Sequence, residues 1–367
     1  MKPLNILNVM WSGGAPFSSI HSVHRQVLAH ACAQAQVHNW LLLGDGLCSG
    51  VGQVRSWHLP ARVLKGRLPY RLTLAWVRWR LRRALRDVEP DVLLVDGLGV
   101  ARLLLPLMQH FPEVRIAVLF HGATRLTGRD IAVFRRFPIE RLSVAAVSAT
   151  LAGTLERDLG RSVRTLRVAL DPEAFGSQLP SRAEARRSLG LASEASAPVL
   201  GAVGRLVESK GFELLIEAFA KANAAQPGMR LAILGDGPLR GKLEARISSL
   251  GVGDSVRLYG HREDSTRLYP AFDWLFVPSH AEGLGLVVQE AVLSRVPVVC
   301  SDLPVFREQL GESGCYLPVG DESAWAAVMS DCRQWSAEAK ASEQWKALAP
   351  DRAWQAFKAG SAGLLER

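Results

Sequence analysis

The sequence predicts an α/β protein of two domains, each built on a parallel sheet that is covered by helices. Short apolar segments alternate with amphipathic ones along nearly the whole chain, which is typical of parallel strands joined by helices. The chain has 367 residues, about two typical domain lengths, and its 48% hydrophobic content is enough for two cores. We therefore expect two domains in tandem, each with a parallel sheet covered by helices.

Short apolar runs bounded by turn residues predict strands in both halves of the chain. The first half contains NILNVMW, VHNWLLLG, DVLLVD, RIAVLF, LSVAAVS and VRTLRVAL, and the second contains VLGAVG, RLAILG, VRLYG, WLFVPS, VPVVCS and CYLPVG. Between them, residues 176–197 are polar, rich in Ser, Ala and Pro, and without a sheet-like period, which predicts a linker. The predicted domains are 1–175 and 198–349, and a helix that breaks at Pro350 is predicted to follow.

The segment SHAEGLGLVVQEAVLS sets two glutamates, Glu282 and Glu290, around a predicted helix start. WLFVPS before it is a predicted strand, Gly283 and Gly285 form the loop, and Glu290 lies about two turns into the helix. Free backbone N–H groups near residues 284–286 would face an anion such as a diphosphate. Carboxylates beside that anion suit hydroxyl groups, so the pattern predicts a nucleotide-sugar site. A solvated helix face is the alternative.

An earlier segment, GRLVESKG, places Arg205 and Lys210 in the loop between a predicted strand and a predicted helix. A guanidinium can fork onto phosphate oxygens and an ammonium can approach as a point charge. Together the two cations could neutralise a pyrophosphate without a metal ion. A surface ion pair with Glu208 or Glu213 would be the plain structural interpretation of the same residues.

GRLVESKG followed by EGLGLVVQE resembles the donor site of the retaining glycosyltransferase family four, within glycosyltransferase group 1. The similarity covers most of the chain and is strongest over about residues 198–320. It implies the GT-B fold, in which two Rossmann-like domains face each other across a cleft, with a C-terminal helix at about 350–367 that packs back on the N-terminal domain. It also implies sugar transfer from a nucleotide-sugar donor to a hydroxyl group with retention at the anomeric carbon. We expect no metal and no cofactor beyond the donor, which is a substrate.

The resemblance implies roles for residues at the ends of the predicted strands. The catalytic candidates are His121, Arg205, Lys210 and Glu282. The donor-binding candidates are Gly13, Gly14, Gly204, Gly235, Gly237, His261, Gly283, Leu284, Gly285, Leu286 and Glu290. Ordinary tight turns would use the same glycines, and a lone histidine is often a structural residue.

Three positions depart from the family pattern. Ser294 and Arg295 stand where many relatives have a small pair such as Cys-Gly, and residues 168–169 stand where many have Asn-Gly. Leu284 replaces the aromatic residue that is often found between the glycines of the EGFG turn. None of these changes touches the charged donor-side residues, so they leave the predicted activity in place and bear on sugar choice.

Composition excludes several other classes of protein. The five cysteines form no CxxC pair and no cluster with histidine, which argues against a zinc site and a disulfide framework. No apolar run approaches the ~18 residues that a membrane span requires. The start MKPLNILNVMW has no signal-peptide pattern and instead predicts a first strand, so we expect a cytoplasmic protein.

The basic charge of the chain is concentrated in its first half. Residues 1–180 carry 23 Lys and Arg against 12 Asp and Glu, a net charge of +11, whereas the whole chain carries +9. The densest part is LPYRLTLAWVRWRLRRALRD, in which a leucine and valine stripe alternates with arginines and two tryptophans. This pattern predicts peripheral binding to an anionic membrane surface on the inner face of the cell membrane. A solvated arginine face is the alternative, and no motif indicates nucleic-acid binding.

These observations together predict a glycosyltransferase that acts on a glycan or a lipid-linked glycan, in bacterial cell-surface polysaccharide or lipopolysaccharide synthesis. Two alternatives remain open. One is an enzyme of similar fold, a nucleotide-sugar epimerase or a phosphorylase, although no convincing pyridoxal site accompanies the second. The other is a non-catalytic GT-B-like subunit that scaffolds a glycan-assembly complex, which the joint presence of both charged motifs disfavours.

Overall fold

In a computed structural model of the chain, the described residues are 3–12, 18–31, 35–44, 51–61, 71–191 and 198–366. The chain divides into two compact units. Unit 1 consists of residues 1–168 and 355–367, and unit 2 consists of residues 169–354. The final residues therefore belong to the N-terminal unit, where Phe357 packs edge-on against the ring of His30.

Unit 1 is built on a seven-stranded, entirely parallel sheet in the order β3-β2-β1-β4-β5-β6-β7. Its central strands are apolar and buried on both faces, as expected for a sheet with helices on each side. Its elements are β1 (Asn5–Ser12), α1 (Ser18–Ala29), β2 (Gln36–Leu43), β3 (Gln53–Ser56), α2 (Arg71–Val88), β4 (Val92–Asp96), α3 (Gly97–Met108), β5 (Arg115–Phe120), α4 (Gly128–Arg135), β6 (Leu142–Ala146), α5 (Ala149–Leu159) and β7 (Arg164–Thr165).

Unit 2 is built on a six-stranded parallel sheet in the order β10-β9-β8-β11-β12-β13. Its elements are α6 (Pro172–Gly176), α7 (Arg182–Ser188), β8 (Val199–Val203), α8 (Phe212–Ala225), β9 (Arg230–Leu234), α9 (Arg240–Ser249), β10 (Val256–Leu258), β11 (Trp274–Val277), α10 (Leu286–Leu293), β12 (Val298–Ser301), α11 (Pro304–Leu310), β13 (Cys315–Leu317), α12 (Glu322–Asp331) and α13 (Ala337–Leu348). The last helix, α14 (Pro350–Leu365), begins at the predicted break.

In unit 1 one strand was not predicted and another was predicted too long. Strand β3 is absent from the prediction because its sequence, QVRS, is short, polar and mostly exposed at the sheet edge. Conversely, VRTLRVAL contributes only Arg164–Thr165 to the sheet, although apolar residues further along this segment are buried in the core. An apolar run indicates that its residues are buried. In this segment the apolar residues are buried without pairing with a neighbouring strand.

The predicted linker contains a helix that its composition conceals. Ser181 and Glu184 form a capping box at the start of α7, and the side chain of Arg186 bonds to Asp273 at 2.9 Å, just before β11. Helix α7 is therefore fastened to the sheet of unit 2. A capping box and an ion pair leave no apolar period in the sequence, which explains why the segment resembles a linker.

The strand order reverses beside the first strand of each sheet, between β1 and β4 in unit 1 and between β8 and β11 in unit 2. Sheets of this type bind ligands outside the carboxyl ends of the strands at the point where the order reverses. Both Rossmann-like domains of the predicted GT-B fold are therefore confirmed, and each has a defined place for a ligand. No helix in the part of the chain that the structure describes is long and apolar enough to cross a bilayer.

Candidate functional site

The loops that follow β8 and β9 in unit 2 are packed backbone to backbone. A Cβ at Gly235 would collide with the carbonyl oxygen of Gly204, and a Cβ at Gly237 would lie 2.5 Å from that of Leu206. The backbone N–H of Leu206 donates to the carbonyl of Asp236 at 2.9 Å, and that of Gly235 donates to Gly260 at 2.8 Å. These glycines allow the loops after β8, β9 and β10 to pack together at the carboxyl ends of the strands.

An ion pair joins the basic loop to the acidic loop across the reversal of strand order. The ammonium of Lys210 contacts Oε1 of Glu282, and the hydroxyl of Ser279 donates to the same oxygen at 2.8 Å. The side chain of Glu282 is 9% exposed and that of Lys210 is 23% exposed. The predicted alternative, a surface pair of Lys210 with Glu208 or Glu213, is not formed, since Glu213 pairs with Lys242 at 2.6 Å.

Helix α10 begins beside this ion pair without a side-chain cap. Its N-cap is Gly285, at φ +77°, where a Cβ would lie 2.5 Å from the ring of Phe306. The carbonyl of Leu284 accepts a hydrogen bond of 2.5 Å from Gln309, and the Leu284 side chain is buried. The first N–H groups of a helix have no partner within the helix, so an uncapped start is suited to an anion.

The second glutamate of the motif is held from a different direction. Glu290 lies in α10, and the hydroxyl of Tyr269 donates to its Oε2 at 2.5 Å. Burial raises the pKa of Glu290, and the bond from Tyr269 lowers it by a smaller amount. The pKa of Tyr269 is raised well above its ordinary value by burial and by the adjacent carboxylate. Tyr269 therefore fixes the position of the carboxylate that the sequence predicts for hydroxyl binding.

The other donor-side candidates lie at the same edge of the sheet. Arg205 is exposed, and no hydrogen bond or ion pair joins its guanidinium to another described residue. His261 is exposed after β10, and Gly283 and Leu286 flank the N-cap of α10. The loops that follow β8, β9, β10 and β11 thus carry all the donor-side candidates of unit 2 except Leu286 and Glu290, which lie in α10.

Unit 1 holds a separate buried group at the carboxyl ends of β4 and β5. Nε2 of His121 lies 3.0 Å from Nε2 of His24, in α1, and 3.7 Å from Oδ1 of Asp96. Burial lowers the pKa of His121 to about 4 and raises the pKa of Asp96 to about 6, although the latter is opposed by the backbone N–H of Trp11. Burial also lowers the pKa of His24, so the buried setting favours the neutral form of both imidazoles.

This group is the one set of three His, Cys, Asp or Glu side chains among the described residues whose ligand atoms converge, all within 4.8 Å. The set contains no donor-side residue of unit 2. Gly13 and Gly14, the remaining candidates of unit 1, lie outside the described residues.

Sequence reasoning did not identify several residues that shape the two sites. Tyr269, Ser279 and Gln309 hold the donor-side glutamates and the start of α10 in unit 2. His24 contacts His121 in unit 1. Each acts through a contact between segments distant in sequence or through a loop geometry that residue type alone does not specify.

Comparison with known proteins shows the fold and finds a matching family model. The structure matches Anabaena Alr3699/HepE, solved in complex with UDP and glucose, with a TM-score of 0.73 and 19% identity over 98% of this chain and 97% of that one. The chain therefore has the GT-B glycosyltransferase fold. Residues 197–334 match the family described as glycosyl transferases group 1.

Two relatives are similar in sequence. The lipopolysaccharide core biosynthesis glycosyltransferase LpsE of Rhizobium meliloti is 38% identical over 141 residues, which are 38% of this chain and 40% of that protein. The alpha-D-kanosaminyltransferase of Streptomyces kanamyceticus is 29% identical over 267 residues, which are 67% of this chain and 68% of that protein. The match thus spans less than half the length of LpsE.

The Tyr269 contact gives a prediction on stability. Tyr269→Phe keeps the ring and removes the donor to a buried carboxyl group, so it should lower the free energy of unfolding by about 1 to 3 kcal/mol. Tyr316→Phe is the matched control, because its hydroxyl donates to the carbonyl of Gly311 in an exposed bond of 2.6 Å. Urea denaturation should show a clearly larger loss for Tyr269→Phe. Equal losses in the two variants would contradict the assignment.

Proposed function

We propose that the chain is a retaining glycosyltransferase of family four that moves a sugar from a nucleotide-sugar donor to a hydroxyl group of a glycan or a lipid-linked glycan. The observation that carries the proposal is the contact of Lys210 with Glu282 at the uncapped start of α10, beside the exposed Arg205. One edge of the sheet thereby offers cations and free N–H groups for a diphosphate and carboxylates for hydroxyl groups. A nucleotide sugar contains both chemistries in one molecule.

Each side chain has a role in this proposal. Arg205 and Lys210 stabilise the departing diphosphate, and Glu290 holds the ribose hydroxyls. Glu282 orients the sugar, and His121 contacts it, as the family resemblance implies. The bond from the anomeric carbon to the diphosphate breaks, and the bond to the acceptor oxygen forms on the same face of the sugar. The acceptor proton passes to the departing phosphate oxygen, so the step requires no enzymic base.

A relative supports the biosynthetic process to which the reaction belongs. LpsE is named for lipopolysaccharide core biosynthesis, which supports a cell-surface polysaccharide or lipopolysaccharide as the acceptor of this chain. The non-catalytic scaffold is the second candidate. It would need none of the charged donor-side residues, whereas Lys210, Glu282 and Glu290 are each positioned by a specific contact.

Donor binding is the first test of the proposed function. A thermal-shift screen against UDP, GDP, ADP and dTDP sugars should yield one class that stabilises the chain, by about 2.7 kcal/mol at 100 times the dissociation constant. With that donor, Arg205→Ala and Lys210→Ala should each cost roughly 2 to 4 kcal/mol of transition-state stabilisation in kcat/KM.

Lys242→Ala is the matched control for these two variants, because Lys242 lies in the same unit and pairs with Glu213 on the surface. It should leave the rate near that of the wild type. Near-normal turnover of both Arg205→Ala and Lys210→Ala under saturating donor would remove the two cations from the mechanism.

We propose further that donor turnover requires no metal ion, since the two cations replace one. A single exposed carboxylate, Asp236, accompanies the glycine turn after β9, and one carboxylate is a poor site for Mg²⁺. EDTA should therefore leave the rate of transfer unchanged. A loss of activity in EDTA that Mg²⁺ or Mn²⁺ restores would contradict this mechanism.

We also propose that α2 binds the chain peripherally to the anionic inner face of the cell membrane. Leu72, Trp76 and Trp79 are 86%, 52% and 58% exposed, and their spacing of four and three residues places them on one side of the helix. Val77 and Leu81, on the opposite side, are buried in the core. The outward face therefore combines apolar anchors with basic charge, which suits the boundary between headgroups and acyl chains.

The basic charge of α2 is less solvated than its sequence suggests. Arg78 and Arg82 are half-buried, with enclosed Nε atoms, and burial lowers the pKa of Arg78. The guanidinium of Arg80 lies over the ring of Trp76 at 4.7 Å. Arg83 and Arg86 are exposed, so they are the arginines best placed to meet lipid phosphates.

Vesicle sedimentation tests this surface. The combined variant Trp76→Ala, Trp79→Ala, Arg83→Gln and Arg86→Gln should release the chain from phosphatidylglycerol vesicles, since each basic side chain adds ~1 kcal/mol near an anionic surface. Ile139→Ala, which removes an exposed apolar side chain elsewhere in unit 1, should have no effect. Equal binding of the wild type to neutral and anionic vesicles would reject the proposal, and donor binding should be unchanged throughout.

A further inference from the structure

A line of buried polar side chains runs through unit 1 and ends at the His24–His121 contact. Nδ1 of His24 lies 2.7 Å from Oδ1 of Asn8, in β1. The amide nitrogen of Asn8 donates to Oδ1 of Asn39, in β2, at 2.9 Å, and that of Asn39 donates to the backbone carbonyl of Val51 at 2.7 Å. Asn8, His24 and Asn39 are at most 1% exposed, so water does not compete for these bonds.

The carbonyl of Val51 sets the direction of every bond in this line. A carbonyl can only accept, so the amide nitrogen of Asn39 must face it, and the oxygen of Asn39 must face Asn8. The amide nitrogen of Asn8 must then face Asn39, and its oxygen must face His24. Reversing either amide would place two oxygen atoms in contact. His24 therefore carries a proton on Nδ1 and donates it to Asn8.

The proton on Nδ1 determines what His24 presents to His121. Burial lowers the pKa of His24 well below its ordinary value, so the ring is neutral and its Nε2 is an acceptor. The Nε2 atoms of the two rings are 3.0 Å apart, which is a hydrogen-bond distance. His121 must therefore donate from Nε2. Oδ1 of Asp96, at 3.7 Å from the same nitrogen, is too far away to accept that proton.

We propose that His24 is a positioning residue that fixes the tautomer of His121, so that His121 offers an unprotonated Nδ1 to the substrate. This proposal rests on the proposed function, in which His121 contacts the transferred sugar. An unprotonated nitrogen accepts a hydrogen bond from a hydroxyl group and gains nothing from a phosphate oxygen. His121 therefore recognises a sugar hydroxyl as a hydrogen-bond acceptor, and it supplies neither a proton nor a positive charge to the reaction.

The tautomers can be measured directly, whether or not transfer is detected. Nitrogen-15 NMR of the full chain labelled at histidine distinguishes a protonated ring nitrogen from an unprotonated one, and spectra of His24→Gln and His121→Asn assign the two rings. We expect the proton of His24 on Nδ1 and that of His121 on Nε2 at neutral pH. A proton on Nδ1 of His121, or a doubly protonated ring, would overturn the proposal.

Asn and Gln can each place a hydrogen-bond acceptor at the position of one ring nitrogen of histidine. Such substitutions therefore distinguish a positioning role from a role in packing alone. Gln at position 24 can accept from Nε2 of His121, so His24→Gln should retain more activity than His24→Ala, for which we expect kcat/KM to fall about tenfold. At position 121, Asn places its oxygen near Nδ1 and Gln places it near Nε2, so His121→Asn should exceed His121→Gln. Equal activities within both pairs would overturn the positioning role.

The experiments distinguish a failure of the proposed function from a failure of the positioning role of His24. If no donor class supports transfer by the wild type, the proposed function is wrong, while the NMR spectra still decide the tautomer. If transfer occurs and His24→Ala leaves the tautomer of His121 unchanged, the positioning role is wrong and the proposed function stands. Urea denaturation of each variant shows that any loss of activity is measured on folded protein.

Discussion

The candidate donor site of unit 2 depends on one ion pair, between Lys210 and Glu282, that spans the reversal of strand order. It forms because the loops after β8 and β11 approach each other closely. Gly211, at φ +68°, has no room for a Cβ beside the carbonyl of Pro278. The N–H of His280 donates to the carbonyl of Ser209 at 2.8 Å and holds the same two loops together. Backbone contacts thus bring a cation and a carboxylate to one place, and each charge stabilises the other in a partly enclosed setting.

The two units place their titratable side chains in different environments. Unit 2 keeps full charges at its loop ends, where Arg205 is solvated and Lys210 is paired. Unit 1 buries its polar residues so deeply that the pKa of His121 falls to about 4 and that of Asp96 rises to about 6. Burial disfavours whichever form is charged, so imidazoles lose protons there and the carboxyl group retains its proton to a higher pH.

The sequence predicted the buried strands well. It did not predict the edge strand β3 or the contacts between segments that are distant in sequence. Strands such as β4 and β11 are continuous apolar runs because both faces are covered, and such runs are visible in the sequence. The edge strand β3 has an exposed, polar sequence and was missed. The spacing of Glu282 and Glu290 was readable because a loop and a helix place them. The hydrogen-bond partner of Glu290 could not be predicted, because Tyr269 reaches the carboxylate from a separate segment of the chain. Residue type alone does not reveal that contact.

The backbone packing of the loops after β8, β9 and β10 has an evolutionary consequence. The frame of the donor edge is held by main-chain atoms and by glycines, while Arg205, Asp236 and His261 project from it as exposed side chains. Exchanging the side chain of Arg205 or His261 leaves the frame intact, because the hydrogen bonds of the frame join main-chain atoms. The carboxylate of Asp236, by contrast, accepts a hydrogen bond from the N–H of Gly237 at 2.7 Å. Selection can therefore alter which base or sugar the loops prefer at little cost to folding. A scaffold with this property can diversify in substrate while it conserves its architecture.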